Sequence, residues 1–169
     1  MKNRRSPAAI AALALIAVSG VAFARSSDRR QPIDIESGSA SYATDDSRPT
    51  VLSGGVIITQ GTLRITSSTA EITTRNGEAV RAVLRGGPVR MSQQLDDGTP
   101  MSSVSSNADY DMQADIVILT GNVSLQRSRG SLTSQRVVYN MRSGQVDTGS
   151  PQSGNRVKMR ILPKNAGTP

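Results

Sequence analysis

A run of short apolar segments is written twice in this chain. Residues 49–59, PTVLSGGVIIT, align with residues 116–126, IVILTGNVSLQ, at an offset of 67. Leu52, Ser53, Gly54, Gly55, Val56 and Ile58 thereby fall on Leu119, Thr120, Gly121, Asn122, Val123 and Leu125. Upstream, Ala40-Ser-Tyr42 falls on Ala108-Asp-Tyr110, and downstream Gly61-Thr-Leu63 falls on Gly130-Ser-Leu132, with the offset drifting from 68 to 69. Recurrence of short strands at this spacing implies stacked β units, each too small to bury its apolar face alone. The Gly-Gly and Gly-Asn pairs supply the positive φ that a two-residue turn demands, so each copy is expected to be a β-hairpin.

Residues 1–24 have the form of a secretory signal and stand apart from the fold. Lys2, Arg4 and Arg5 make a basic head, Ala8 to Val18 a short apolar run, and Ala22-Phe23-Ala24 a small-residue cleavage site. The apolar run is shorter than the ~20 residues needed to span a bilayer. Residues 25–163 are then expected to form one domain, and residues 164–169 a disordered tail.

Of the 20 Lys and Arg residues three lie in the signal, leaving 17 against 13 acids and a net charge of +4 instead of +7. The arginines are scattered with hardly an aromatic between them, so no stacking platform for nucleic acid is visible. An exported chain with no cysteine has no disulfide staple, so its stability must come from backbone ladders and aliphatic packing. The single Phe leaves with the signal, there is no Trp, and Tyr42, Tyr110 and Tyr139 are the remaining rings. A core of Val, Ile, Leu and Met suits a narrow interior or an acyl ligand.

Nothing along the chain carries a helical period. Alternating runs of four to eight residues include Gln31–Glu36, Glu78–Arg85, Val89–Gln94, Met101–Ser105, Ala108–Met112, Gln135–Asn140 and Arg156–Leu162, and all read as strands. Asn76-Gly77, Asp97-Gly98 and Ser143-Gly144 mark turns between them. If Gly54-Gly55 is a hairpin turn, Val51 pairs with Ile58, and Val51, Val56 and Ile58 share a face with Ile118, Val123 and Leu125 of the second copy. A one-residue slip would move every one of these side chains to the other face.

With neither His nor Cys, the chain has no imidazole base, no thiolate nucleophile and no ordinary zinc site, so it is not expected to be an enzyme. Asp109 and Asp111, two apart on a strand, share a face at roughly 7 Å and are the one pair suited to acid–base work on a glycan. A solvated polar face is the simpler account. No glycine-rich phosphate loop is present, and no metal or cofactor is implied.

Taken together, Gln31-Pro-Ile-Asp-Ile-Glu-Ser37, Leu52-Ser-Gly-Gly-Val56, Thr59-Gln-Gly-Thr62, Asp97-Gly-Thr-Pro100 and Val117-Ile-Leu-Thr-Gly-Asn122 resemble the OstA-like family of periplasmic lipopolysaccharide-transport proteins, over about Gln31 to Pro163. The resemblance implies an all-β fold, a twisted, slightly open β-jellyroll of about sixteen short antiparallel strands, with lipid A chains between two sheets. It implies a periplasmic location, lipopolysaccharide as ligand, head-to-tail homo-oligomers, and LptC at the inner membrane and LptD at the outer as partners. The family's groove positions fall on Ile33, Ile35, Met91, Tyr110 and Met112, with Met91 a thioether where the family has a ring. Arg29, Arg30 and Arg85 are candidates to meet lipid phosphates. An exported polysaccharide-acting enzyme and a purely structural β-repeat module remain the alternatives.

Overall fold

The computed structural model describes residues 28–43, 45–149 and 156–163. The expected signal and tail lie outside the described residues. Among the described residues a single turn of 3-10 helix, Asp28–Arg30, precedes nine strands: β1 (Asp34–Ser41), β2 (Thr50–Gln60), β3 (Leu63–Arg75), β4 (Glu78–Gln94), β5 (Pro100–Asp111), β6 (Ile116–Arg127), β7 (Gly130–Asn140), β8 (Val146–Thr148) and β9 (Lys158–Ile161). They form one antiparallel meander from β1 to β8, and β9 pairs with β7.

The long strands are not continuous ladders. Register shifts fall in a row across them, at Ser37/Ser39 of β1, Ser53/Val56 of β2, Thr66/Thr69 of β3, Arg85/Val89 of β4, Val104/Asn107 of β5 and Thr120/Val123 of β6. On β7 the paired run breaks between Ser134 and Arg136, with β9 on residues 130–133 and β8 on 137–139. The row is a crease. Each of the seven long strands gives one segment to either side of it, and β8 and β9 complete two eight-segment sheets, sixteen segments in all. The expected breaks between Arg85 and Val89 and between Ser105 and Ala108 fall on it.

Two local devices alternate along the crease. In β1, β3, β5 and β7 a serine hydroxyl donates to the carbonyl two residues on: Ser37 to Ser39 at 3.2 Å, and Ser67 to Thr69, Ser105 to Asn107 and Ser134 to Arg136 at 2.9 Å. In β2, β4 and β6 a left-handed pair sits there instead: Gly54-Gly55 (φ 78° and 87°), Gly86-Gly87 (75° and 104°) and Gly121-Asn122 (79° and 49°). Each device inserts residues without a ladder partner and so bends the strand.

This corrects the hairpin expectation. Gly54-Gly55 and Gly121-Asn122 do have positive φ, but they lie inside β2 and β6, which pair with their neighbours along both arms and not with themselves. The inward faces shift accordingly. Val56, Ile58, Val123 and Leu125 are buried as expected, but before the crease the buried residues are Leu52, Val117 and Leu119, while Val51 is exposed. The repeat itself holds as β1–β2–β3 against β5–β6–β7. Ile58 pairs with Ile65 as Leu125 pairs with Leu132, so the true offset past the turn stays at 67 and does not drift to 69.

Folding along the crease brings the two inward faces onto one core that includes Ile58, Ile65, Leu84, Val117 and Leu119. Each such side chain contributes about 1.5–3 kcal/mol by leaving water. Tyr139 Oη reaches Gln93 Oε1 at 3.2 Å, and Tyr110 Oη reaches Gln60 Oε1, each bond linking one side of the crease to the other. Away from the crease, residues 28–31 form a strap from one half to the other. Thr62 donates its backbone N–H (3.1 Å) and its hydroxyl to Asp28 Oδ2, Gln60 Nε2 donates to the carbonyls of Arg29 and Gln31, and Arg29 Nη1 donates to the Met141 carbonyl at 3.0 Å.

Candidate lipid-binding site

The five expected groove residues separate into two groups. Met91, opposite Ile65 and Ser103 in the sheet, and Tyr110, opposite Ala82 and Val117, are fully buried and serve the packed core. Burial, and secondarily the charge of Asp115, pushes the Tyr110 phenol up to about 12. Ile33 and Met112 are half-buried against the rim of the core. Ile35 pairs with the fully buried Ile58 but stands on the unpaired edge of β1 and is 36% exposed. The structure thus gathers no single exposed surface from these five: Ile33, Ile35 and Met112 keep apolar surface open to solvent, and Met91 and Tyr110 do not.

The apolar opening lies at the other end of the sheets. A cavity of about 370 Å3 runs between β8 and β9, the last segments of the two halves. Leu125 and Leu132 form its floor and continue into the core, while Val146, Met159 and Ile161 form its walls. Its volume is in the range of small-molecule pockets, about 300–1,000 Å3. The alternation of Val157, Met159 and Ile161 marked this strand as an amphipathic edge in the sequence. That it faces Val146 across a gap was not readable, because the gap depends on β8 and β9 pairing with different arms of β7.

Part of the charge around the molecule is committed to local ion pairs. Arg29 lies 3.5 Å from Asp115 Oδ2, which also accepts from Arg142 at 2.9 Å, and Arg85 Nη1 lies 2.6 Å from Glu71 Oε1. Arg29 and Arg85 are therefore engaged by carboxylates, whereas Arg127, Arg129 and Arg160 line the cavity itself. The Asp109 and Asp111 carboxylates do different work: Asp109 accepts from Arg81 Nε at 2.8 Å, and Asp111 caps a turn by accepting from the backbone of Gln113 (3.0 Å) and Ala114 (2.8 Å). Among the described residues there is no group of three or more ligating side chains placed to hold a metal.

The two sheets also end in open edges. Among the described residues β1 pairs only with β2, and β9 only with β7. Met159 and Ile161 on the β9 edge are 66% and 74% exposed.

A family model described as "LptA/(LptD N-terminal domain) LPS transport protein" matches residues 34–145. The chain belongs to this family. It is 32% identical over 163 residues to the lipopolysaccharide export system protein LptA of Escherichia coli (strain K12), covering 95% of this chain and 87% of that protein. The protein of the same name from Haemophilus influenzae is 28% identical over 152 residues, covering 88% and 87%. The fold matches the crystal structure of LptH, the LptA-homologous periplasmic component of the lipopolysaccharide transport device of Pseudomonas aeruginosa, with a TM-score of 0.72 at 23% identity over 81% of this chain and 99% of that one. The LptA/LptD N-terminal match ends just before β8, so Leu125 and Leu132 lie within it and Val146, Met159 and Ile161 lie beyond it.

Proposed function

We propose that this member of the LptA/LptD N-terminal family carries lipopolysaccharide through the periplasm, sheltering lipid A acyl chains between its two sheets. The supporting observation is the apolar cavity between β8 and β9, which opens the aliphatic core to the outside at the end of an unclosed sheet. An acyl chain of about a dozen carbons costs on the order of 10 kcal/mol to leave in water, at ~0.8 kcal/mol per methylene. A wall of Leu, Val, Met and Ile removes much of that penalty without demanding one chain length. The open edges of β1 and β9 suit end-to-end addition of copies by β-augmentation. Such a row joins the cavity of one copy to the β1 end of the next, where Ile33 and Ile35 stand, and its ends suit LptC at the inner membrane and LptD at the outer.

The test is mass spectrometry of lipid extracted from the exported chain purified out of a lipopolysaccharide-producing cell. Lipid A is expected in the wild-type extract and absent from Val146→Asp, with the β-sheet circular dichroism of the two alike. A folded wild-type protein that carries no lipid A would overturn the carrier reading.

A further inference from the structure

The cavity that the carrier reading uses has a charged mouth that hydrocarbon alone does not explain. Arg127 at the end of β6, Arg129 in the β6–β7 turn and Arg160 on β9 all line it, and among the described residues no Asp or Glu does. Guanidinium groups sharing one opening repel one another, and a phosphoryl group, which matches their planar forks, relieves that repulsion. Arg127 gives a second indication. Its Nη2 donates at 3.4 Å to the carbonyl of Gly144, which lines an adjacent cleft, so its guanidinium lies between the two openings, and its Nε is buried with no hydrogen-bond partner. A buried donor of this kind calls for an acceptor. Carboxylates do stand near Arg127. Asp96 and Asp97 line the neighbouring cleft with Tyr139, and the Asp97 carboxyl is lowered by the Thr99 hydroxyl first and by Arg127 last. The opening is held in shape by Gly130, where a Cβ would lie 2.4 Å from the Arg160 carbonyl oxygen, so β9 approaches the turn as closely as only glycine permits.

We infer that this cavity takes a phosphorylated lipid chain-first, with Arg127, Arg129 and Arg160 holding the phosphoryl group at the mouth. The inference rests on the carrier reading and adds headgroup selection to it. Arg129 and Arg160 are exposed, so removing them leaves the core intact.

The experiment measures displacement of a fluorescent acyl probe from the exported chain by bisphosphorylated lipid A, by the same lipid stripped of phosphate, and by inorganic phosphate. Wild type is expected to bind the phosphorylated lipid about tenfold tighter than the stripped one, and Arg129→Ala/Arg160→Ala to lose that preference while holding the stripped lipid within about twofold of wild type. The wild-type preference should also shrink as salt rises from about 0.05 to 0.5 M. Equal binding of both lipids by wild type, or a preference indifferent to salt, overturns headgroup selection and leaves the carrier reading standing. Displacement by inorganic phosphate at the concentration of the lipid assigns the mouth to free phosphate and overturns it too. A chain that binds neither lipid overturns both readings.

Discussion

The Tyr110 hydroxyl donates a 3.0 Å hydrogen bond to Gln60 Oε1, joining the two halves of the creased sheet at a point where both side chains are buried. Gln60 in turn donates to the carbonyls of Arg29 and Gln31, so one side chain ties the core to the strap that crosses the sheets. The phenol must keep its proton for this arrangement to stand.

The alkaline stability of the fold follows from that proton. The Tyr110 pKa is about 12 in the folded chain against 10.0 ordinarily. Above pH 10 the unfolded chain releases the proton and the folded chain keeps it. Stability from the neutral phenol is therefore complete below pH 10 and falls by about 1.4 kcal/mol per pH unit until pH 12. Tyr139 is shifted upward by burial as well, so the comparison that isolates Tyr110 is with Tyr110→Phe. Urea unfolding should place the variant below wild type at neutral pH by about 1 kcal/mol, for the acceptor left without its donor. The two curves should cross between about pH 10 and 11, leaving wild type the less stable of the two as pH approaches 12. Curves that stay parallel would show that Tyr110 does not carry the alkaline transition.

The crease makes a second prediction, from the two copies of the repeat. Gly54 and Gly121 hold φ of 78° and 79°, and a Cβ would lie 3.2 Å from Gly38 Cα in the first case and 2.6 Å from Ser106 Oγ in the second. Alanine at either position should destabilise the fold by about 1–2 kcal/mol, through left-handed strain and the forced contact. Gly55 also has positive φ, but nothing stands within 4 Å of its Cβ position, and its counterpart in the second copy is already Asn122. Gly55→Asn should stay within about 0.5 kcal/mol of wild type. Equal losses at Gly54 and Gly55 would refute this account of the bend.

These same residues mark how far the sequence could be read. Val56, Ile58, Val123 and Leu125 declared their inward face because alternation persists over the arm that contains them. Leu52 and Leu119 did not, because a left-handed pair is the signature of a hairpin and of a strand bulge alike. What separates the two is the partner across the ladder: Ser53 is opposite Thr69 and Val56 opposite Ser67, pairings that no local pattern reveals. The site was legible to the same degree. Met159 and Ile161 stood out as an apolar edge, but the cavity beside them needs Val146 on the opposite sheet, and the burial of Met91 and Tyr110 was not readable because side chains facing a core and facing a ligand have the same chemistry.

Asp109 offers a check on the alternative, glycan-acting reading. Its carboxylate is paired with Arg81, whose own pKa is raised by that partner first, but the pair is half-exposed. Asp109→Asn should change stability by no more than about 1 kcal/mol, as exposed ion pairs do. Any hydrolase or lyase activity present in wild type and lost in this variant would favour the acid-pair reading over the carrier.

The strap gives a prediction about local opening. Asp28 is buried and accepts two hydrogen bonds from Thr62, and a Cβ on Gly61, which has φ of 59°, would lie 2.5 Å from Asp28 Oδ1 and 2.8 Å from its Cα. Asp28→Ala and Gly61→Ala remove the same anchor from opposite sides. Both should raise amide exchange at residues 29–33 by about tenfold, the equivalent of roughly 1.4 kcal/mol of lost local protection, and leave β4 to β7 unchanged. Exchange that rises across the whole sheet instead would mean that the strap is part of the global fold.

The edges supply the last prediction. If copies add with the β9 edge of one against the β1 edge of the next, the contact is heterologous, and each copy needs both edges to extend a row. Met159→Lys/Ile161→Lys blunts the β9 edge, where both residues are exposed, and Ile35→Lys blunts the β1 edge, as lysine does on natural edge strands. Each variant alone should sediment as a monomer at concentrations where wild type forms longer species. An equimolar mixture, however, contains one intact edge of each kind: the sound β9 edge of Ile35→Lys meets the sound β1 edge of Met159→Lys/Ile161→Lys. Such a pair exposes only blunted edges at its ends, so the mixture should form dimers and nothing larger. An isologous contact behaves differently, because the variant that keeps the edge in use would dimerise without any partner. Dimers from either variant alone would therefore exclude head-to-tail growth, and a monomeric mixture would mean that these edges do not join copies at all.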